Sequence, residues 1–196
     1  MESYYLEGEE KFGLLYSFGY FLLAKLPQMK SFYSFVVKDL LDSGSKELID
    51  IGTGPGDIPI MLAKSEKFRV LCAVDPSRDM IRIARRRAAG LNVIFAQGSS
   101  RKIGFNRKFS LVSTALSFHH WARKEDSLIY LSSLLKKDGE IRIYEYERKV
   151  LPGILKWFTS SHSVTEKELY EVALKSSLKI KNIKKEGGFI RAIITR

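Results

Sequence analysis

The segment Asp50-Ile51-Gly52-Thr53-Gly54-Pro55-Gly56-Asp57 gathers the residues best suited to hold a ligand. An apolar run, Lys46 to Ile51, leads into it, and a helix-like stretch, Ile58 to Lys64, follows. A loop so placed lies at the carboxyl end of a strand, where open α/β sheets bind ligands. Its glycines allow a sharp turn and close approach to a ligand, because no Cβ stands in the way. Backbone N–H groups at the start of the following helix remain free to donate. A second acid, Asp75, closes another apolar run, Val70 to Val74. A carboxylate there can accept from both hydroxyls of a ribose at once. Asp75-Pro76-Ser77 can equally be a turn and a helix cap. The G-x-G-x-G spacing, with an acid two places ahead, differs from the dinucleotide fingerprint G-x-G-x-x-G and so disfavours a nicotinamide oxidoreductase.

Proton chemistry has fewer candidates. His119 and His120 follow the run Phe109 to Leu116. Histidine titrates near neutral pH, so either could take a proton from an arriving nucleophile. The pair could also merely cap the strand and pack on Trp121. Tyr144, Glu145 and Tyr146 end a later strand, where Glu145 and Glu147 read chiefly as strand-ending residues. The lone cysteine, Cys72, falls inside a buried strand, a poor setting for a nucleophilic thiolate. No HExxH or Cys/His spacing suggests a metal, and none is expected.

Short apolar runs alternating with helical stretches position these groups. Strands are expected at 46–51, 70–74, 93–95, 109–116 and 141–146. Helices are expected at 58–64, at 77–89 with Ser77 as N-cap and Gly90 beyond its end, and at 125–135. Ahead of them, Phe32, Phe35, Val36 and Leu40 show helical spacing after Pro27. Thr165 opens a further helix with a capping-box pattern. Leu178 to Lys185 and Phe189 to Thr195, joined at Gly187-Gly188, read as a hairpin. This alternation implies an α/β fold with a doubly wound, mostly parallel, seven-stranded sheet closed by an antiparallel hairpin.

The chain has 196 residues and a net charge of +11, enough length for one domain with a sizeable core. The charge attracts anionic partners, but it is spread over several clusters that read as solvated faces. Nucleic acid is therefore a possible partner and not the favoured one. Single-cysteine usage, the absence of a basic leader and the shortness of the apolar run Phe18 to Leu26 point to a cytoplasmic protein with no membrane span.

From Glu47 to Glu147 the chain resembles the class I S-adenosylmethionine-dependent methyltransferases, particularly the small-molecule branch related to ubiquinone and menaquinone biosynthesis methyltransferases. Glu47 to Gly56 resembles that family's first motif, and Val74-Asp75-Pro76-Ser77-Arg78-Asp79-Met80 its second. Phe109 to Val112 with Phe118-His119-His120-Trp121 resembles the fourth-strand motif, and Leu134 to Glu140 the turn into the fifth strand. The resemblance implies a Rossmann-like methyltransferase with S-adenosylmethionine as cofactor and a small-molecule methyl acceptor. Asp50, Gly52, Thr53, Gly54 and Gly56 would hold the methionine end and Asp75 the ribose. Pro76, Met80, Gly98, Ser99, Ser100 and Leu116 would complete the cofactor site, with Met80 against adenine. Many relatives carry an acid where Ser99 stands, and often one at Ser110. The single domain would comprise a helical lid (1–45), a cofactor-binding core (46–147) and a C-terminal helix and hairpin (148–196). Methylation of RNA or protein and a non-catalytic cofactor-binding module are the competing readings.

Overall fold

The computed structural model describes Tyr4, residues 27–147 and residues 163–196. The first described helix, α1 (Pro27–Leu41), starts on a proline, whose missing N–H costs nothing in a first turn. Phe32, Val36 and Leu40 recur every four residues and are fully buried. Most of the aromatic N-terminal segment expected to form a lid lies outside the described residues. Phe32 and Tyr33 are the part of it that α1 places, both buried.

β1 (Glu47–Ile51) is buried along its whole length. It leads through the glycine loop into α2 (Asp57–Ala63), β2 (Val70–Asp75), α3 (Arg78–Arg87) and β3 (Ile94–Gln97). β4 (Phe109–Ala115) follows, then a single 3-10 turn at Phe118–His120, α4 (Lys124–Ser133) and β5 (Leu135–Glu147). The chain closes with β6 (Ser163–Val164), α5 (Glu166–Lys175), β7 (Lys179–Glu186) and β8 (Phe189–Thr195).

The strands form one sheet in the order β3-β2-β1-β4-β5-β8-β7. β1, β2, β3, β4 and β5 are mutually parallel, whereas β8 runs antiparallel to both β5 and β7. The expected sheet is thus borne out except in strand number, which is eight among the described residues rather than seven. The addition is β6, whose two residues pair parallel with Tyr146 and Glu147 of β5. A two-residue strand carries no periodicity, so no pattern in the sequence announces it.

The order reverses between β1 and β4, which opens a crevice at their carboxyl ends. Leu48, Ile49, Leu111, Val112, Ile141 and Ile143 are all 0–1% exposed. Each such side chain stabilises the fold by about 1.5–3 kcal/mol relative to exposure, which makes these strands a rigid base for the loops above them. Cys72 is buried in β2, and burial pushes its thiol pKa up, as expected for an inert thiol.

A polar latch ties α1 to this sheet. Asp39 accepts from Arg142 Nη1 and Tyr144 Oη, both at 2.7 Å, and from Arg191 Nη1 at 3.2 Å. Glu140 also accepts from Arg142 Nε, at 2.7 Å. Arg142 and Arg191 are buried, so their charges depend on these partners.

Candidate functional site

The glycine loop is fixed by its own backbone before any ligand is considered. The N–H groups of Gly52 and Thr53 both donate to the Val74 carbonyl, at 2.9 and 3.0 Å. Gly52 has φ +73°, and a Cβ there would lie 2.0 Å from Ser117 Oγ, so this position packs directly on the turn after β4. Gly54 has φ +54°, but a Cβ there would meet nothing within 4 Å. Gly56, at φ +84°, is the N-cap of α2 and packs against Ala84 and Phe95. Arg87 clamps the far end of the loop, donating to the Pro55 carbonyl at 2.8 Å and to Asp57 Oδ1 at 2.5 Å.

The loop borders a cleft of about 330 Å³, counted to its open mouth. Asp50, Gly52, Thr53 and Gly54 line one side, and Ala115 and Leu116 of the β4 end line another. Tyr33 of α1 reaches the same cleft. Leu116 adopts φ +51°, a left-handed conformation that costs a non-glycine residue about 1–2 kcal/mol. Its N–H donates to the Tyr144 carbonyl at 2.9 Å, which holds it there. Strain of this kind concentrates at functional sites.

Two buried acids flank the loop. Asp50 is 2% exposed, and its Oδ1 accepts from Ser113 Oγ at 2.7 Å. Burial pushes its pKa up to about 6, against the lowering effect of the Ser113 hydrogen bond, and the nearby Asp75 charge adds to the rise. Asp75 accepts from Gly54 N through Oδ2 and from Ser77 N through Oδ1, both at 2.8 Å. Burial raises its pKa to about 6 as well, opposed by those two N–H groups. The turn-and-cap reading of Asp75 is thus realised, with Ser77 Oγ capping α3 by accepting from Met80 N. The acid is not exhausted by it. Each carboxylate oxygen can accept two hydrogen bonds, so each Asp75 oxygen retains capacity.

The remaining expected site residues lie off the cleft. Pro76 offers its carbonyl to Gln97 Nε2, and Met80 is a buried residue of α3 itself. Gly98 donates to the Asp75 carbonyl at 3.1 Å, and Ser99 pairs with Lys102 in a tight turn. Ser100 is engaged with Ser127 of α4 through their hydroxyls at 2.8 Å, so its side chain joins two elements. Ser110, where relatives often carry an acid, bonds Ser45 Oγ at 2.9 Å.

The histidine pair divides. The Trp121 ring meets Phe118 edge-on and its Nε1 donates to Ser117 Oγ. His119 Nδ1 instead lies 2.7 Å from Glu145 Oε2, and His119 N donates to Glu145 Oε1 at 3.2 Å. Glu145 is fully buried. Reading this acid as a strand-ending residue missed that partnership. The signal was available: a charged residue inside a central strand must find a partner. Glu147, by contrast, meets Lys185 near the surface of the sheet.

Residues 48–139 match the family model of the methyltransferase domain. Over these residues the chain is similar to a methyltransferase domain. An uncharacterised methyltransferase of Staphylococcus carnosus is 30% identical over 115 residues, which cover 58% of this chain and 53% of the relative. The demethylmenaquinone methyltransferase of Thermus thermophilus is 29% identical over 109 residues, 54% of this chain and 50% of the relative. The chain thus matches about half the length of these curated relatives. Among solved structures, an S-adenosylmethionine-dependent methyltransferase from Methanococcus maripaludis superposes with TM-score 0.80 at 19% identity, covering 98% of this chain and 97% of that one. One from Aquifex aeolicus gives 0.75 at 18%, covering 94% and 98%. At such identities the superpositions show the fold. In this fold Asp50, Gly52, Thr53 and Gly54 border the cleft at the end of β1, and Asp75 ends the neighbouring β2, where it accepts from Gly54 N.

Proposed function

We propose that the protein transfers the methyl group of S-adenosylmethionine to a small organic acceptor. The observation that carries this reading is the convergence of Asp50 and Asp75 on a glycine loop beside an open cleft. S-adenosylmethionine supplies a methyl group activated on a sulfonium, so the protein's task is position and electrostatics. The residues present fit that cofactor. A cation suits two carboxylates that become charged above pH about 6. Gly54 leaves open the space that a Cβ would fill, and Asp75 keeps acceptor capacity for ribose hydroxyls. Asp50, Gly52, Thr53, Gly54 and Gly56 are assigned to the methionine end and Asp75 to the ribose. Pro76, Met80, Gly98 and Ser99 are assigned to the adenine side, with Leu116 on the opposite wall. Ser100 acts there through its contact with α4.

A small acceptor is supported by the quinone-related name of the Thermus thermophilus relative. Tyr33 offers an apolar ring with a polar tip where an organic acceptor would enter. In the same reading residues 1–45 cover the acceptor side. Among the described residues no helix is long and apolar enough to cross a membrane. Titration calorimetry with S-adenosylmethionine and with NAD tests the cofactor assignment. Saturable binding of the first alone is expected, and saturable NAD binding with none for S-adenosylmethionine would overturn it.

A further inference from the structure

At the end of the sheet opposite the cofactor cleft lies an open recess of about 1360 Å³, counted to its mouth. Lys108 precedes β4, Lys136 and Lys137 open β5, and Arg196 follows β8, which runs back antiparallel to β5. Lys181 of β7 completes the ring, and Asp138 is the one acid among the described lining residues. Lys108 Nζ donates to the Ser133 carbonyl, and Arg196 Nη2 donates to the carbonyls of Leu135 and Lys136, at 3.2 and 2.7 Å. Carbonyls hold these cations without cancelling their charge. Lys108, Lys137 and Arg196 make no ion pair among the described residues. Lys136 and Lys181 do meet acids, Glu47 and, at 3.6 Å, Glu140. Each of those acids is shared with an arginine, Glu47 with Arg69 and Glu140 with Arg142, so neither cancels its lysine in full. We propose that this recess binds a small anion carrying several phosphate groups, an oligophosphate. The site is separate from the methyl-transfer cleft and does not rest on that reading.

The ligand class follows from the charge and from what else lines the recess. A concave surface of one sign, with low-dielectric walls, focuses its field on the mouth. Ammonium groups meet phosphate oxygens as point charges, and a guanidinium meets them with paired donors. Both contacts of Arg196 fall on Nη2, so Nε and Nη1 keep their donors. No hydrogen bond engages the Lys137 ammonium among the described residues. A chain of phosphates can meet several of these cations at once, where a single phosphate meets one or two. No aromatic side chain is among the described lining residues, so the recess has no platform for stacking bases. The large apolar side chains exposed elsewhere, Ile129 and Leu174 among them, do not line it, so nothing there would enter a lipid bilayer. Both observations favour a free oligophosphate over a nucleic acid or a membrane surface.

Titration calorimetry of the full chain with inorganic tripolyphosphate tests this, at about 0.15 M salt, where charges more than about 8 Å apart are largely screened. One saturable site is expected, unchanged by saturating S-adenosylmethionine. Lys108→Ala with Lys137→Ala should weaken it at least about tenfold. Arg82→Ala with Arg86→Ala removes the same charge from α3 and should change it less than about twofold. Asp138→Asn carries the opposite sign: affinity should rise at least about threefold, since a like charge leaves the site. Asp138 has φ +61°, a conformation that Asn tolerates, and a misfolded variant would not gain affinity. In the wild type, tripolyphosphate should shield Lys137 from acetylation more than Lys184 of β7, as read by mass spectrometry. The absence of a saturable site overturns the proposal. Equal losses in the two double variants overturn it by reducing the effect to net charge, and an Asp138→Asn variant without a gain does so as well. Displacement by S-adenosylmethionine would put the anion in the cofactor cleft, against the proposal. So would binding of an RNA oligomer or of phosphatidylglycerol vesicles that the Lys108 and Lys137 substitutions abolish and tripolyphosphate does not compete away.

Discussion

At the scale of single residues, two glycines of one loop separate packing from binding. Gly52→Ala would place a methyl group 2.0 Å from Ser117 Oγ at φ +73°, so it should lower stability by about 2 kcal/mol or more and disturb the β4 turn. Gly54→Ala meets no atom within 4 Å, and its cost to the fold should stay near the ~1 kcal/mol of the left-handed backbone. Its methyl group lies beside the cleft, so affinity for S-adenosylmethionine should still fall at least about tenfold, or 1.4 kcal/mol. Thermal melts beside calorimetry check the contrast, and a Gly54→Ala variant with native affinity would break it. The two acids make a pH-dependent prediction. Their folded pKa values of about 6 lie above ordinary carboxylate values because of burial. The folded state therefore binds more protons than the unfolded one between pH about 4 and 6, and these groups lower stability as pH rises through that window. Cofactor binding has the opposite sign, since a cationic ligand favours the ionised acids. Its dissociation constant should rise on going from pH 7.5 to 5, by up to about tenfold per pH unit for each acid that must lose its proton. A constant affinity over that range would show that neither acid meets the cofactor. The loop and both acids were legible because types and spacing were tied to strand ends. The second role of Asp75, bridging Gly54 and Ser77, was only half legible, since backbone geometry decides which N–H groups face a carboxylate.

At the scale of elements, caps and strands were readable and long-range polar pairs were not. Ser77 and Thr165 were expected as caps, and both side chains accept from the N–H three residues on. Ser77→Ala should cost about 0.5–2 kcal/mol, or roughly 1–8 °C in a domain of this size, and should also loosen Asp75 in the loop. Unchanged melting and unchanged cofactor affinity together would show the cap to be idle. The strand runs are legible because parallel strands buried on both faces must be continuously apolar. Glu145 and Arg142 break that rule inside β5, and their partners lie 26 and 103 positions away. Local patterns hold no information at that range. The latch at Asp39 is the clearest consequence. Asp39→Ala would leave the buried Arg142 with Glu140 as its acid and take the carboxylate from the buried Arg191, which keeps Asn182, so a loss of up to about 3–5 kcal/mol is expected, with α1 loosened against the sheet. Hydrogen exchange of α1 amides would report it. Protection equal to wild type would mean that the aromatic packing of Phe32 on Tyr146 and Phe189 holds α1 alone.

At the scale of the whole molecule, the net charge of +11 is the property most easily mistaken for function. A basic surface draws nucleic acid by counterion release whether or not nucleic acid is the substrate. What matters is how the cations are committed. Arg85 donates to the Phe95 carbonyl, Arg87 holds the glycine loop, and Arg82 pairs with Asp79. On the edge strand β7, Lys181, Lys184 and Lys185 pair with Glu140, Glu186 and Glu147. Lysine on an edge strand also has a second use, because charge there deters pairing with another sheet. Many of the positive groups therefore serve the fold, and they sit on elements at different sides of the sheet. The exposed aromatic side chain on α5, Tyr170, has Glu166, Lys167 and Glu171 near it in sequence, a mixed and not a basic surround for base stacking. RNA binding is accordingly expected to be weak and indifferent to sequence, with dissociation constants of about 1 μM or higher at physiological salt. Fluorescence anisotropy with two unrelated labelled RNA oligomers should give equal affinities that both fall about tenfold or more between roughly 50 and 200 mM salt. Tight, salt-resistant binding to one of them would move the acceptor from a small organic molecule to RNA, while leaving the loop, Asp50 and Asp75 in the same cofactor roles.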